Sequence, residues 1–357
     1  MRALVAMSGG VDSSVAALLM KDKGHSIIGC TMRLYENDIV GLPLLGTCCS
    51  IKDTNDARAV CGRLGADYKI FHYEELFREK VIEKFISSYE SGLTPNPCID
   101  CNRYFKFDYL YDKMKDLSCD YIVTGHYARI SFDSERGRYI LRKAVDLSKD
   151  QSYVLYTMTQ YQLAHTLLPL GEYHKTDVRK LAEERGFVNA RKHDSQDICF
   201  VPDGDYAAFM ERFRGEAYPE GDIVDMSGKI LGRHKGYIRY TIGQRKGLGI
   251  ASDCPLFVVR IDPSENRVVV GHEEDLFRKV VTATDLNLIS VEALREPMRI
   301  KAKIRYGQKE QPGLAGMTED GRLKVIFDEA QRAPAPGQAM VLYDGDIVVG
   351  GGVIDSY

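Results

Sequence analysis

The sequence predicts an α/β protein: an N-terminal doubly wound parallel sheet, then a small central domain, then a C-terminal β-barrel. Three observations carry this. Strand and helix signals alternate through the first two hundred residues. The first strand runs straight into a serine–glycine loop, SGGVDSS, residues 8–14, and then into a helix. After about residue 204 the texture changes to short alternating runs with many glycines. Alternating strands and helices build parallel sheets covered by helices. Short strands at regular spacing close into sandwiches or barrels.

The elements follow in order. ALVAM is a short apolar strand, and SSVAALLMKDKG has helical spacing that ends at Gly24. SIIGCTMRLY is the second strand. DTNDARAVCGRLG is a helix that opens on Asp, Thr and Asn and closes at Gly65. DYKIFHY is the third strand, and EELFREKVIEKFISSYESG a long amphipathic helix. The cysteine loop TPNPCIDCN comes next, then a helix around FKFDYLYDKMKDL and the strand DYIVTGHYA. Residues 154–188 read as helices. TDVRKLAEERG is the clearest of them, with Thr176 as N-cap and Gly186 as C-cap. Beyond residue 204 the predicted strands are GYIRYTI, LFVVRID, NRVVVG, MRIKAKIRYG, LKVIFD and AMVLYDGDIVVGGGVI, the last turning at Asp344-Gly345. The expected domains are 1–203, 204–275 and 276–357.

The composition is that of an ordinary soluble protein: 357 residues, 44% hydrophobic and 28% charged. There is no apolar run of about 18 residues, so no membrane span is expected. The start, MRALVAMSGG, lacks the layout of a signal peptide, and the expected compartment is the cytoplasm. Net charge is −3, which excludes a chain that binds nucleic acid by bulk charge. Residues 226–252 contain no acid and six bases: Lys229, Arg233, Lys235, Arg239, Arg245 and Lys246. That stretch reads as a phosphate-contacting surface, with a plain solvated face as the alternative.

SGGVDSS has the chemistry of an anion cradle. Its glycines let backbone N–H groups turn toward a phosphate. Ser8, Ser13 and Ser14 add hydroxyls, and the next helix adds its N-terminal amides. The loop lacks the lysine of G-x-x-x-x-G-K-[ST], so it is a different phosphate loop.

Nine cysteines stand at 30, 48, 49, 61, 98, 101, 119, 199 and 254. In a reducing compartment a cluster points to chemistry or metal. Cys30, Cys61 and Cys119 lie in or beside apolar runs and read as buried core residues. Cys98 and Cys101 form a C-x-x-C pair whose spacing alone leaves zinc, iron–sulfur, redox and sulfur-handling readings open.

SGGVDSS resembles the PP-loop of the N-type ATP pyrophosphatases, which split ATP into AMP and pyrophosphate while adenylating a carbonyl oxygen. That resemblance implies an adenine nucleotide α-hydrolase-like first domain. It puts ATP on Ser8, Gly9, Gly10, Asp12, Ser13 and Ser14, with Asp12 organising the loop or Mg2+. NPCIDCN, TGHYAR, KDQSYVLY, HDSQDICFVP, YTIGQRKGLGI and APGQAMVLYDGDIVVGGGVI are similar to segments of the tRNA-specific 2-thiouridylases of the MnmA type. They occur in that family's order, and the likeness spans essentially the whole chain.

The resemblance implies an enzyme that replaces O2 of a wobble uridine with sulfur. Adenylation makes the oxygen a leaving group, and a cysteine persulfide supplies the nucleophile. It implies that Cys199 carries the persulfide and Cys101 resolves it through a transient disulfide. Cys98 stands where part of the family has an acid. With Cys98, Cys101 and Cys199, a 4Fe–4S cluster is the rival to persulfide chemistry, and zinc with His193 a third reading. Arg103, Arg191 and Lys192 are candidate activators of the thiols, and Cys48-Cys49 a candidate sulfur-entry pair.

By the same likeness Met32, Gly125 and His126 line the nucleoside pocket. Arg129, Lys149, Asp150, Gln151, Arg245, Lys246 and Arg305 face the tRNA. Tyr237 and Tyr240 are candidate stacking residues, or core. The implied partners are the tRNA anticodon stem-loop and a cysteine desulfurase or persulfide carrier. A different PP-loop ligase or amidotransferase, or a binding module that has lost catalysis, are the rival readings.

Overall fold

The computed structural model describes residues 1–35, 51–192 and 198–356. In the first domain β1 (Arg2–Ala6), α1 (Val11–Asp22), β2 (Ser26–Arg33), α2 (Ile51–Arg63) and β3 (Asp67–His72) alternate as expected. With β4 (Tyr121–Val123) and β7 (Thr166–Leu167) they form a sheet of order β3-β2-β1-β4-β7, every neighbour parallel.

Side chains along β1 alternate between two cores, as a period of two requires. Ala3 and Val5 pack with α1 and α2, while Leu4 packs on the opposite face with Leu110, Tyr111 and Met114. Both faces are therefore covered, and the sheet is doubly wound. The chain leaves β1 toward β2 on one side, and β4 lies on the other. Residues 8–14 and 124–126 emerge at that reversal, where α/β sheets bind ligands.

The helical region between β3 and β4 is less regular than its sequence suggests. α3 (Glu74–Phe77) continues through a π-helical stretch, Arg78–Glu83, into α4 (Lys84–Glu90). α5 (Pro97–Asp100) continues through a second π stretch, Cys101–Tyr109, into α6 (Leu110–Asp116). Among residues 154–188, expected to be helical, α7 (Gln160–Ala164) and α8 (Lys175–Glu184) form, but β7 lies between them. Two residues carry too little pattern to reveal a strand. The N-cap of α8 is His174, not Thr176, while Gly186 (φ 62°) does lie just past its end.

A hairpin missed in the sequence, β5 (Ala128–Asp133) with β6 (Arg138–Lys143), leaves the first sheet and joins the C-terminal one.

The central region opens with α9 (Tyr206–Arg214), capped by Asp205, where only strands were expected. Its sheet runs β10-β11-β8-β9, from β8 (Gly221–Val224), β9 (Ile230–His234), β10 (Phe257–Asp262) and β11 (Arg267–Gly271). GYIRYTI is not a strand but a short 3-10 turn, Tyr237–Arg239. Its apolar residues serve two cores: Ile238 enters the aromatic core of the first domain, Tyr240 and Ile242 the central one.

The last domain is a closed six-stranded antiparallel barrel. β12 (Phe277–Leu288), β15 (Leu323–Arg332), β14 (Gln311–Met317), β13 (Met298–Lys303), β16 (Ala339–Asp344) and β17 (Ile347–Ser356) follow round it, and β17 pairs back onto β12. It docks on the first domain through shared apolar packing and through bonds such as Tyr153 OH to Ala339 O (2.8 Å) and Asn287 Nδ2 to Tyr156 O (2.6 Å).

Candidate functional site

The SGGVDSS loop joins β1 to α1, the strand–loop–helix setting its sequence predicts. Gly9 adopts φ 73°, and a β-carbon there would collide with the backbone of Asp53. Gly10 caps α1, and the Ser13 and Ser14 hydroxyls donate to its carbonyl at 3.1 and 3.0 Å. The Ser8 amide donates to Ser13 Oγ (3.2 Å). Ser13 and Ser14 are buried. Asp12 accepts two bonds from Lys175 Nζ, both 2.7 Å, and one from the Tyr127 hydroxyl at 2.8 Å. Lys175 is itself buried. A buried ammonium needs a partner, and Asp12 is it.

Two further groups hold this loop: Asn189, which sequence reasoning did not single out, and Lys192. Asn189 Nδ2 donates to Gly9 O and Ser14 Oγ, both 2.9 Å. Lys192 Nζ reaches Gly9 O (3.1 Å), Asp53 and Asp56 (3.0 Å for the last). Lys192 was expected beside a thiol; its two carboxylates place it at the loop instead. Lysines that a Walker loop would carry locally come here from distant helices and turns, so no local spacing could reveal them. Arg191 is exposed and pairs with Glu183, and Arg103 pairs with Asp285 of the barrel.

Gly125 touches the loop directly. A β-carbon on it would stand 2.7 Å from the Ser13 nitrogen. His126, next in sequence, is buried. Its Nδ1 lies 2.7 Å from Thr124 Oγ1, and its Nε2 3.3 Å from Lys106 Nζ. Burial, and then the Lys106 charge, holds its pKa well below the usual 6.5. The ring is therefore neutral at pH 7. Because an ammonium only donates, Nε2 is the acceptor and Nδ1 carries the proton.

This has a stability consequence. The unfolded histidine takes up a proton near pH 6.5 and the folded one does not. The folded state's advantage is present above pH 6.5 and falls as pH drops below it, by about 1.4 kcal/mol per pH unit for one proton. Denaturant titrations between pH 7 and 5.5 should show that slope, and His126→Asn should flatten it by about that amount.

Residues 148–153 tie to the same place through Gln151, whose Oε1 accepts from the Tyr127 amide (3.0 Å). Asp150 is engaged locally, accepting from the Ala144 amide (3.0 Å) and the Ser152 hydroxyl (2.7 Å). Lys149, on the turn just before it, is half-buried. Met32 is half-buried at the end of β2.

Cys30, Cys61 and Cys119 are buried core residues, as expected. Cys101 and Cys199 are both half-buried and pack against one aromatic cluster that contains Phe77, Phe85, Phe105 and Phe200. The same cluster takes in Leu34 and Tyr35, just past β2, and the Tyr35 hydroxyl donates to Cys199 O (2.8 Å). Cys98 is exposed and neighbours Tyr306, whose hydroxyl donates to Asp150 O (3.2 Å). Among the described residues no three His, Cys, Asp or Glu side chains are grouped to hold a metal. Cys48, Cys49 and His193 lie outside the described residues.

The basic stretch divides in two. Arg233 pairs with Asp222 and Arg239 with Glu211. Lys235, Arg245 and Lys246 are exposed, with no ion-pair partner among the described residues, and Lys229 is exposed beside the Asp225 carboxylate. Tyr240 is buried in the central core, and the Tyr237 hydroxyl is bound to Glu90 O (2.8 Å), so both are structural rather than stacking residues. Arg305 and Arg129 are engaged within the fold. Arg305 donates to Ala333 O, its pKa lowered by burial and by Arg332. Arg129 donates to Lys143 O (2.7 Å) and Asp346 (2.9 Å).

Three family models match in succession: a tRNA methyl transferase HUP domain over residues 1–203, a tRNA methyl transferase PRC-barrel domain over 207–272, and an aminomethyltransferase β-barrel domain over 278–354. The chain is 50% identical over 354 residues to the tRNA-specific 2-thiouridylase MnmA of Clostridioides difficile strain 630, covering 99% of this chain and 98% of the relative. It is 49% identical to the protein of that name from Acetivibrio thermocellus, covering 99% of each. It is 50% identical to tRNA-specific 2-thiouridylase MnmA 2 of Caldanaerobacter subterraneus subsp. tengcongensis, covering 99% of this chain and 98% of the relative. With its phosphate loop at the switch point of a doubly wound sheet and relatives about half identical from end to end, the chain belongs to the tRNA-specific 2-thiouridylase MnmA family.

Proposed function

We propose that this protein is a tRNA-uridine 2-sulfurtransferase that uses ATP to activate the C2 oxygen of a wobble uridine and replaces it with sulfur. The observation that supports this most directly is the shared setting of Cys101 and Cys199. Both pack against the aromatic cluster that reaches the end of β2, beside the phosphate loop.

The chemistry runs in three steps. Uridine O2 attacks the α-phosphorus of ATP and pyrophosphate leaves with the bonding pair, while N3 gives up its proton. The terminal sulfur of a Cys199 persulfide attacks C2, and AMP leaves with the original oxygen. The Cys101 thiolate then attacks Cys199 Sγ. The S–S bond breaks toward the sulfur on C2, N3 regains a proton, and a Cys101–Cys199 disulfide remains for a thiol reductant to reopen.

In this reading Ser8–Ser14 amides and hydroxyls hold the polyphosphate, and the Asp12–Lys175–Tyr127 bonds fix the loop. Mg2+ arriving with ATP needs only one or two protein carboxylates, and Asp12 and Asp53 flank the loop. Among the described residues Cys98, Cys101 and Cys199 do not group to hold a cluster. Lys229, Lys235, Arg245 and Lys246 would contact anticodon stem-loop phosphates. The sulfur arrives from a desulfurase or persulfide carrier.

The test combines the protein, tRNA lacking the modification, ATP–magnesium and a persulfide source, with mass spectrometry of the digested tRNA. The expected result is 2-thiouridine with AMP formed alongside. No thiouridine from persulfide or sulfide would overturn the reading.

A further inference from the structure

Three lysines surround the phosphate loop and its neighbour strand end. Lys175 is neutralised by Asp12, and Lys192 by Asp53 and Asp56. Lys106 differs. It is half-buried, and among the described residues it has no carboxylate partner. Its one hydrogen-bond partner there is the neutral His126, at 3.3 Å. An ammonium has three donors. A partly buried cation without a counter-charge is costly unless an anion arrives to complete it.

Its position says which anion. His126 follows Gly125, which lies against the start of α1 at Ser13. The Thr124–His126 bond fixes the ring, and the ring in turn aims the ammonium. Lys106 also belongs to the π stretch that begins at Cys101. Hydrogen bonds from i to i+5 make that pair one turn apart. One side chain thus stands between the nucleotide loop and the thiol-bearing end of the helix.

We propose that Lys106 is a catalytic residue whose ammonium contacts the nonbridging oxygens of the nucleotide's α-phosphate. This rests on the adenylation reading above. That phosphoryl group stays anionic while O2 displaces pyrophosphate and again while AMP leaves C2. A fixed cation there favours both transfers without reorganising. His126 acts through Lys106 as a positioning residue.

The test compares AMP with adenosine, which differ only by the phosphate. Calorimetry with Lys106→Gln should show AMP binding weakened roughly tenfold to a hundredfold, as loss of one charge-assisted bond predicts. Adenosine binding should be unchanged, and Lys106→Arg should recover part of the loss. In the parent, AMP but not adenosine should shield Lys106 from an amine-acylating reagent, read by peptide mass spectrometry. That second measurement needs no variant to fold. Equal losses for AMP and adenosine, or no shielding by AMP, would overturn the proposal. If the parent makes no thiouridine yet shows the AMP-selective effects, the thiolation reading fails and the phosphate contact stands.

Discussion

Cys199→Ala should make no 2-thiouridine while still releasing AMP from ATP when tRNA is present. In the proposed mechanism Cys199 Sγ carries the persulfide, so its removal takes away the nucleophile, and such losses run to about a thousandfold or more. Adenylation uses other groups: the loop at 8–14, Gly125 and the lysines around them. The local fold should persist, because the Tyr35 hydroxyl bonds the backbone carbonyl of residue 199, not its thiol. Cys101→Ala separates the later step. With no thiolate to attack Cys199 Sγ, the sulfur on C2 stays joined to the protein. A protein–tRNA adduct that dithiothreitol releases should appear on a denaturing gel. Thiouridine made at the parent rate by Cys199→Ala would remove this residue from the mechanism.

The parts of this site legible in the sequence are those whose chemistry is local. SGGVDSS carries its loop geometry in seven consecutive residues, and the structure has Gly9 at positive φ and Gly10 capping α1. The strand–helix alternation showed the doubly wound sheet because buried strands and amphipathic helices differ in period. What escaped was set by tertiary contact. Lys175 and Asn189 meet the loop from more than 160 residues away. Lys192 was noticed but assigned to the wrong neighbour, since its carboxylates Asp53 and Asp56 lie on α2. The hairpin β5–β6 has good alternation yet was overlooked within a region read as α/β, and it serves the barrel's sheet. GYIRYTI failed in the opposite sense: its alternation is real, but its apolar residues fill two different cores.

Gly125→Ala should cut ATP-dependent AMP release by more than about a hundredfold while the fold survives, since a displacement of about 1 Å is not tolerated where catalytic geometry must hold to fractions of an ångström. The added methyl would stand 2.7 Å from the Ser13 nitrogen and 2.8 Å from the Asp12 carbonyl carbon. Both are backbone atoms of the first turn of α1, so no rotamer change relieves the contact. Nor can α1 retreat easily. Val11, Ser13, Ser14 and Val15 are buried, and Gly9 already lies against Asp53. The strain must therefore push residues 124–126 away from the loop, which moves His126, and with it the Lys106 ammonium, from the nucleotide. Overpacking of this kind costs about 1–3 kcal/mol, which a domain of this size tolerates. Gly62→Ala is the control. Gly62 lies in α2 with open space around its would-be β-carbon, and alanine there should leave activity unchanged and favour the helix by up to about 1 kcal/mol. Parent-level AMP release by Gly125→Ala would show that the approach of residue 125 to α1 is packing alone, and would detach Thr124–His126 from the nucleotide site.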